Sequence, residues 1–527
     1  MAHPRTAASW FSVNWNYWLG ATSATVLLFT LCDQADAEIA TCRNDRPNIL
    51  FIFTDDQSHR TVGCYPSSPT WVKTPNIDQL ANEGLRFSAA YPAGAWCLLS
   101  RASFMTGRHP HGIYGMEVTR NPYSKYDPAV CRFWPAELRK AGYTTGFIGK
   151  WHLSEGVGHG REWDFSVAWN HAVPEKAKGY YLNQRLNFDG GPYVEVGGYS
   201  TDNYTKYAAE FIKRDHDKPW FLWLCYDAIH EPFTAAERHG ECYGSECYTP
   251  TPLDIFPPRE TKPAYMHQLS WWKNGAGAYE GQPVMEFRGK IQSFEELVRR
   301  YNRPLLAVDE GVGHLMKVLQ ESGQSQNTLI VFTSDQGQAV GQHGFLWKVA
   351  PYDANLKVPL IIRMPGKVAE GKVCHRPVGT LDVLATIFKI TGAVPPWKTH
   401  GRDISELLVS PQSDWPHPVL MEHTRWALGH QTDKGVSEPK DAFRDVPWWI
   451  FLRQGRFKYI RTLVRDEIEE LYDLHCDPDE LINLAVDPTY RKIVEDYRQR
   501  MVRELERTDA PLLNNLPAPR FAYEATQ

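Results

Sequence analysis

The chain of 527 residues has no excess of positive charge, since 57 Lys and Arg residues stand against 62 Asp and Glu residues and give a net charge of −5. A protein that binds nucleic acid needs a basic surface, so this composition argues against a nucleic-acid partner. The chain also lacks internal repeats and long low-complexity tracts. Its apolar segment at residues 18–31 is shorter than the roughly 20 residues of a transmembrane helix, so no stable membrane span is expected.

The start of the chain has the layout of a secretory signal. Arg5 precedes the apolar segment, and Ala35 and Ala37 follow it as a small-x-small cleavage site. We therefore expect a signal peptide over residues 1–37 and a secreted or periplasmic protein, with an uncleaved anchor as the alternative. Cys32 does not follow a lipobox, which argues against lipidation.

The remaining chain divides into two patterns. From residue 45 to 410, strands alternate with helices, which predicts an α/β unit. One helix is expected to begin at the capping residue Ser293, end near Gly323 and bend at Pro304. A second pattern follows from residue 415 to 527, with short strands at 448–452 and 457–461 and a charged helix at 490–507.

Four apolar runs end in polar, chemically active side chains. Runs of this kind are typical of buried parallel strands, and ligands in open α/β sheets bind at the carboxyl ends of such strands. The sequence therefore predicts one catalytic edge formed by four strands. The runs lie at 48–53, 145–148, 220–226 and 328–332, and they lead to Asp55 and Asp56, Lys150 and His152, His230, and Asp335 and Gln336.

The residue types at this edge suggest two kinds of chemistry. Carboxylate and amide oxygens suit a hard cation such as Ca²⁺ or Mg²⁺ rather than zinc, although a single Asp pair also occurs in turns and helix caps. Cationic and proton-carrying side chains suit a tetrahedral oxyanion. The first set is Asp55, Asp56, Asp335 and Gln336, and the second is Arg101, Lys150, His152 and His230.

Cys97 lies between a loop and a helix expected at residues 100–106, which ends at Gly107. Backbone N–H groups and the helix dipole favour negative charge at such a position. Arg101, one turn further along, can hold the same anion. This pattern predicts a nucleophile at an anion site, and the alternative is a half-buried free cysteine.

Together these motifs resemble the formylglycine-dependent sulfatases of the alkaline-phosphatase-like superfamily. The resemblance covers nearly everything after residue 45. It implies a mostly parallel central sheet flanked by helices, a catalytic domain over 45–410 and a smaller C-terminal sheet-plus-helix subdomain over 415–527. The matching segments are 47–57, 74–84, 97–101, 106–108, 141–152, 230–233, 334–337, 343–348, 358–363, 470–480 and 483–485.

The resemblance also implies two cofactors. Cys97 is the position that a maturation enzyme oxidises to formylglycine, whose hydrated form supplies the attacking hydroxyl. One Ca²⁺ binds a sulfate oxygen and the nucleophile, and its ligands would be Asp55, Asp56, Asp335 and Gln336. The substrate is then a sulfated small molecule or glycan, with a sulfated carbohydrate expected.

The other polar residues of the edge receive roles from the same resemblance. Arg101 and Lys150 stabilise the hydrated aldehyde and the sulfate charge, and His152 helps to break down the sulfated intermediate. His230 and Lys348 contact the sulfate, and one of them protonates or shields the leaving oxygen.

The chain departs from the family pattern at two positions. Leu99 replaces the proline or alanine that the maturation enzyme reads, and Gln336 replaces a shorter asparagine or a histidine. Two alternatives to a sulfatase stay open, the first because the superfamily shares this catalytic edge and the second because of Leu99. One is a phosphodiester or phosphonate hydrolase of the same superfamily, and the other is a catalytically silent binder of sulfated glycans in which Cys97 is not matured.

Overall fold

Strands and helices alternate along the residues that the computed structural model describes, 46–120 and 122–521. The signal peptide expected over residues 1–37 lies outside these residues. The strands are β1 Asn48–Thr54, β2 Leu85–Tyr91, β3 Met116–Arg120, β4 Tyr123–Tyr126, β5 Thr144–Trp151, β6 Phe165–Asn170, β7 Leu182–Phe188, β8 Tyr193–Tyr199, β9 Trp220–Cys225, β10 Lys273–Asn274, β11 Pro283–Phe287, β12 Lys290–Ser293, β13 Thr328–Ser334, β14 Val358–Arg363, β15 Lys372–Cys374, β16 Val378–Gly379, β17 Val419–His423, β18 Trp449–Gln454, β19 Phe457–Thr462 and β20 Glu469–Asp473. The helices are α1 Pro75–Asn82, α2 Cys97–Thr106, α3 Pro135–Lys140, α4 Ser200–Ile212, α5 Ala264–Gln268, α6 Phe294–Asn302, α7 Leu305–Glu321, α8 Asp353–Leu356, α9 Thr380–Thr391, α10 Ser405–Val409 and α11 Arg491–Arg507.

An 11-stranded sheet forms the centre of the protein, in the order β15-β2-β14-β13-β1-β9-β5-β6-β7-β8, with β16 also beside β2. The four strands whose ends carry the predicted site, β13, β1, β9 and β5, are consecutive neighbours and all parallel. The predicted α/β class with a mostly parallel central sheet is confirmed. Parallel alignment brings the four carboxyl ends to the same edge.

Both faces of the central strands are buried. In β1, Ile49, Phe51 and Phe53 pack into one apolar cluster, while Leu50 and Ile52 pack into another on the opposite face. A strand covered by helices on both sides is apolar throughout, which explains the continuous apolar run in the sequence. The first cluster includes α2, so the helix that begins at Cys97 is fixed directly against the sheet.

The helix that the sequence places after Ser293 appears in the structure as two segments, α6 and α7. The helix predicted from Ser293 is interrupted at Arg303 and Pro304, where the proline was expected to bend it, and it continues as α7 to Glu321. The proline ring removes an N–H donor and favours a new helix start. The predicted cap is present, because the Ser293 hydroxyl accepts a hydrogen bond from the Glu296 amide at 3.3 Å.

A four-stranded antiparallel sheet, β17-β18-β19-β20, follows the main sheet in the chain. One of its faces contributes Phe451 and Ile460 to the cluster around α2, and the other packs Ile450 and Leu452 against α11. From Pro47 onward the chain forms one compact unit. None of the described helices is long and apolar enough to cross a membrane.

Candidate active site

Two adjacent carboxylates end strand β1 and lie at the centre of the site. Asp55 and Asp56 are fully buried, and the backbone of Asp56 is left-handed, with φ of 58°. The Asp56 amide donates to Asp335 Oδ1 at 3.0 Å, so the ends of β1 and β13 are joined. Left-handed backbone at a residue other than glycine is costly and often marks a functional site.

The surroundings shift the pKa values of these acids in different directions. Burial raises the pKa of Asp55, but the charges of Lys150 and Arg101 outweigh it and hold this pKa well below its usual range. Burial and the neighbouring charge of Asp55 raise the pKa of Asp335 to about 7. The neighbouring cations therefore keep Asp55 ionised, whereas Asp335 is only partly ionised at neutral pH. Additional positive charge in the site would favour ionisation of all the acids.

Cys97 is the first residue of α2 and faces this carboxylate pair. Its Sγ lies 3.6 Å from Asp56 Oδ1 and 2.8 Å from Lys348 Nζ. Burial, with the charges of Asp55 and Asp56, raises the pKa of the thiol well above its usual value. The unmodified side chain is therefore a protonated thiol at neutral pH rather than a thiolate nucleophile.

The start of α2 is shaped by the loop before it. Trp96 is extended, and its carbonyl oxygen accepts the Ser100 amide at 3.0 Å. Gly94 packs so tightly on this first turn that a Cβ atom would lie 2.6 Å from the Leu99 carbonyl carbon. The helix begins at Cys97, three residues before the expected start, because the loop supplies this support.

Three cations neutralise the acids. Arg101 Nε donates to Asp335 Oδ2 at 2.8 Å, Lys150 Nζ donates to Asp55 Oδ2, and Lys348 Nζ lies 2.5 Å from both oxygens of Asp56. Arg101 also donates to the backbone oxygen of Lys150 at 2.8 Å, which links α2 to β5. Each carboxylate thus has its own cationic partner, an arrangement that suits binding of a tetrahedral oxyanion.

Glycine is required immediately before Lys150. Gly149 has φ of 110°, and a Cβ atom there would collide with the carbonyl oxygen of Cys225 on β9. The close approach of β5 and β9 places the Lys150 side chain against the end of β1. In the sequence, Lys150 is therefore marked by the glycine before it as well as by its position at a strand end.

The two histidines occupy different positions. His230 Nε2 lies 3.4 Å from Asp56 Oδ2, and its ring stacks on Tyr180 at 5.2 Å. His152 packs edge-on against His171 at 4.6 Å and against Trp96 at 6.4 Å. Burial, followed by nearby positive charge, lowers the pKa of both His152 and His230 well below the usual value, so both rings are neutral.

A group of oxygen atoms in the site fits a hard divalent cation. Asp55 Oδ1 and Gln336 Oε1 are buried and have no hydrogen-bond partner among the described residues. Gln336 is oriented by its Nε2, which donates to the Gly94 carbonyl oxygen. Ligand atoms of Asp55, Asp56, Cys97 and His230 lie within 4.8 Å of one another. Unpartnered buried oxygens are costly, and a cation would satisfy them.

Two tyrosines contact the site although no pattern in the sequence predicted them. Tyr180 OH lies 3.2 Å from Lys150 Nζ and donates to Asp55 Oδ2 at 3.3 Å. Tyr301 OH, from α6, donates to the backbone oxygen of Asp56 at 2.6 Å and supports its left-handed turn. Neither residue follows a strand, so the strand-end pattern did not include them.

The sheet and its buried edge match an alkaline-phosphatase-like hydrolase fold, and comparison with known proteins identifies the family. A family model described as sulfatase matches residues 47–393, and one described as N-sulphoglucosamine sulphohydrolase, C-terminal, matches residues 341–507. The chain therefore belongs to the sulfatase family and is a sulfuric ester hydrolase.

Individual relatives are similar over most of their length. The N-acetylglucosamine-6-O-sulfatase of Bacteroides thetaiotaomicron is 27% identical over 92% of this chain and 91% of the relative. The human N-acetylglucosamine-6-sulfatase is 27% identical over 84% of this chain and 82% of the relative. A solved structure described as a complex with its substrate D-glucosamine-2-N,6-O-disulfate is 25% identical, with a TM-score of 0.73 over 90% of this chain and 99% of its own. The phosphonate monoester hydrolase of Agrobacterium radiobacter shares the fold, with a TM-score of 0.65 over 88% of this chain and 96% of its own at 23% identity.

Proposed function

We propose that this sulfatase removes a sulfate group from a sulfated carbohydrate, using a formylglycine formed from Cys97 and one Ca²⁺. The observation that carries the proposal is the convergence of Cys97 with Asp56 and Lys348 at the carboxyl end of β1. Burial raises the pKa of the Cys97 thiol, so the unmodified side chain is a poor nucleophile, which supports its conversion in this proposal. Relatives named for 6-sulfated amino sugars support the carbohydrate substrate.

The side chains of the site have distinct tasks in this proposal. Formylglycine supplies a hydroxyl nucleophile, and Ca²⁺ supplies positive charge for the sulfate oxygens. Asp55, Asp56 and Gln336 would hold the ion through their oxygens, and Asp335 would complete the set while it anchors Arg101. Preorganised positive charge stabilises a sulfuryl group in the transition state because it needs no rearrangement during the reaction.

The remaining residues position the ester. Lys348 keeps its proton, because the charge of Asp56 raises its pKa against the effect of burial. It is therefore available to donate a hydrogen bond to the oxygen that leaves. His230 is held over Asp56 by its stack on Tyr180 and would contact the sulfate, while His152 serves the breakdown of the sulfated intermediate.

The proposal extends to the rest of the molecule. Residues 1–37 are proposed to direct export, so that the protein is secreted or periplasmic, and a maturation enzyme is its transient partner. Residues 45–410 are proposed as the catalytic domain and 415–527 as a C-terminal subdomain packed on it. N-terminal sequencing of exported protein tests the first statement, and a start after Ala37 is expected.

Mass spectrometry and kinetics test the catalytic proposal together. Protein co-expressed with a maturation enzyme should carry an aldehyde at position 97, and chelation should abolish hydrolysis, which calcium should restore better than zinc. Cys476→Ser, at an exposed cysteine, is the matched control and should leave the aldehyde in place. Full retention of the thiol in a protein that still turns over substrate contradicts the mechanism.

A comparison of nitrophenyl sulfate, nitrophenyl phosphate and phenylphosphonate decides between the sulfatase and the phosphorus-ester alternatives. The cations Arg101, Lys150 and Lys348 balance the acids, so one divalent ion leaves a modest positive charge suited to a monoanionic ester. We expect the highest kcat/KM for the sulfate. Binding of sulfated sugars without any turnover of the aldehyde-bearing protein would instead favour a silent binder.

A further inference from the structure

A two-residue turn from the C-terminal part of the chain lies beside the candidate active site. The amide of Phe443 donates to the carbonyl of Val446 at 2.9 Å, and the reverse bond measures 3.1 Å. The central residues, Arg444 and Asp445, have φ of 53° and 64°. Such turns normally use Asn-Gly because both positions are left-handed. A long arginine side chain is an unusual choice here, and we refer to residues 443–446 as the Arg444 turn.

The Arg444 turn is fixed on both sides. The indole Nε1 of Trp271 donates to Asp445 Oδ2 at 3.1 Å. Phe443 packs against Trp426 at 5.2 Å and against Trp96, the neighbour of Cys97, at 6.0 Å. Anchors at both ends hold the turn in its left-handed conformation, so the direction of the arginine between them is determined by the fold.

Arg444 lies flat on an aromatic ring next to a catalytic lysine. Its Cζ is 3.8 Å from the ring centre of Trp347, the residue before Lys348. Burial lowers the pKa of Arg444, while the charges of Glu231 and Asp56 act in the opposite direction. Stacking of this kind orients a guanidinium and leaves its N–H groups free at the edge.

A second arginine on the same side shows what is different about Arg444. Arg288 also begins the centre of a two-residue turn, between Phe287 and Lys290, but its Nε lies 2.7 Å from Glu231 Oε1. Among the described residues, the Arg444 guanidinium has no hydrogen bond and no ion pair with a carboxylate. Arg288 is therefore neutralised by the protein, whereas Arg444 keeps its charge and its donors for an external anion.

We propose that Arg444, held on Trp347, binds a second anionic group of the substrate, a sulfate or carboxylate other than the sulfate that is removed. The inference rests on the proposed function. The reacting sulfate belongs with the buried cations Lys150, Lys348 and Arg101, whereas Arg444 is exposed beside them. A guanidinium binds sulfate and carboxylate through paired N–H donors, so one residue accepts either group.

Binding experiments with three sugars test this proposal. The probes are glucosamine 6-sulfate, the same sugar with an additional 2-N-sulfate, and the same sugar linked to a hexuronic acid. Calorimetry on protein expressed without the maturation enzyme measures affinity in the absence of turnover. Arg444→Gln should weaken binding of at least one doubly charged probe about 10- to 30-fold, the range expected for loss of a charge-assisted contact, and should change binding of glucosamine 6-sulfate less than about 2-fold.

Two further variants control for folding and net charge. Arg444→Lys keeps the charge without the paired donors and should recover part of the lost affinity. Arg456→Gln removes an arginine that lies in the turn before β19 and pairs with Asp473, and it should change no affinity. Of the two doubly charged probes, the one affected by Arg444→Gln identifies the anion as sulfate or carboxylate.

The outcomes separate this inference from the proposed function. Equal weakening of all three probes by Arg444→Gln, or no weakening of any, overturns the second-anion site. If the wild-type protein binds none of the sugars but hydrolyses nitrophenyl sulfate, the inference and the carbohydrate substrate fail while the sulfatase mechanism stands. If Cys97 carries an aldehyde and nitrophenyl sulfate is not hydrolysed, the mechanism fails whatever Arg444 does.

Discussion

The protein contains two clusters of buried charge that resemble each other in composition and differ in use. The edge cluster, at the end of the main sheet, comprises Asp55, Asp56, Asp335, Arg101, Lys150 and Lys348. The interface cluster, where the C-terminal sheet meets α8, comprises Asp353, Glu470, Glu480, Lys262 and Lys458. Burial of charged side chains therefore does not by itself identify an active site.

The surroundings of the cations distinguish the two clusters. In the interface cluster, Lys262 lies 4.2 Å and 4.3 Å from the ring centres of Tyr352 and Tyr472, and the Lys458 side chain is 0% exposed. In the edge cluster, Lys348 contacts a cysteine, and the neighbouring His230 side chain is 21% exposed. Sealed cations surrounded by rings hold a structure together, whereas convergent donors beside a potential nucleophile and an opening can act on a ligand.

Removal of the proposed nucleophile should affect activity far more than stability, with the largest difference of the variants considered. Cys97→Ala is expected to lower kcat/KM at least about 10³-fold, because a covalent mechanism loses its attacking group. The free energy of unfolding should change by only about 1 kcal/mol, since the thiol makes few packing contacts that a methyl group cannot replace. Cys374→Ala, at a buried cysteine of β15, is the matched control and should retain full activity. Turnover by Cys97→Ala would contradict a catalytic role for the edge cluster that the interface cluster lacks.

Loss of Lys458, the central lysine of the interface cluster, should lower stability strongly and leave activity nearly unchanged. Lys458 Nζ pairs with Asp353 at 3.0 Å and Glu480 at 2.8 Å, so Lys458→Met leaves two buried carboxylates without their cation. We expect the free energy of unfolding to fall by about 3–5 kcal/mol. The kcat/KM of the folded fraction should stay within about threefold of wild type, because the two clusters share no partner.

The pH dependence of this variant follows from the pKa of Glu480. Burial raises this pKa from an ordinary value of 4.5 to about 7, although Lys458 lowers it. A carboxyl group whose folded pKa is raised loses stability as the pH rises through that pKa, and removal of Lys458 raises it further. The part of the Lys458→Met stability deficit that comes from Glu480 should therefore be constant below about pH 7 and grow above it, which urea titrations on both sides of pH 7 measure. A deficit that is constant with pH would mean that lost packing, not charge, is responsible.

The edge cluster was largely predictable from the sequence, because parallel strands carry a local signal. Each strand appears as an apolar run, and the residue after the run lies at the sheet edge. Asp55, Lys150 and Asp335 could be assigned in this way without the strand order. The order β13-β1-β9-β5 itself depends on crossovers through distant helices, which no local pattern reveals.

The interface cluster and the Arg444 turn were not predictable for the same reason. Lys458 and Asp353 are 105 residues apart, and each looks like an ordinary surface charge in its own segment. The Arg444 turn uses Arg-Asp where a turn signature would be Asn-Gly, so its left-handed backbone is imposed by contacts with Trp271 and Trp96. Tertiary packing, rather than local preference, decides these features.

A single hydroxyl in the edge cluster should affect rate more than stability. Tyr180→Phe removes contacts with Lys150 and Asp55 while its ring still stacks on His230. We expect kcat/KM to fall about tenfold, the effect of one lost hydrogen bond to a charged group. The thermal midpoint should stay close to that of wild type. A large fall in the midpoint without a change in rate would place Tyr180 with the structural residues instead.

The matched hydroxyl of the interface cluster should give the smallest effect and the reverse pattern. Tyr352 OH donates to Glu470 Oε2 at 2.9 Å, and Tyr472 donates to the same oxygen at 2.5 Å. Tyr352→Phe leaves one donor in place, so unfolding should become easier by only about 1 kcal/mol, with kcat/KM unchanged.

The sign of its pH dependence can be worked out from Glu470. Burial raises the pKa of Glu470 above its ordinary value, while Lys262 and the two tyrosine hydroxyls lower it. Loss of one hydroxyl raises this pKa further, so the ionised form costs more in the folded state. The deficit of Tyr352→Phe should therefore vanish below the folded pKa of Glu470 in the wild-type protein and be complete above the higher folded pKa in the variant. Urea titrations of Tyr352→Phe and Tyr180→Phe at the same pH values measure the stability deficit of each variant. A fall in kcat/KM for Tyr352→Phe would show that the two clusters are coupled.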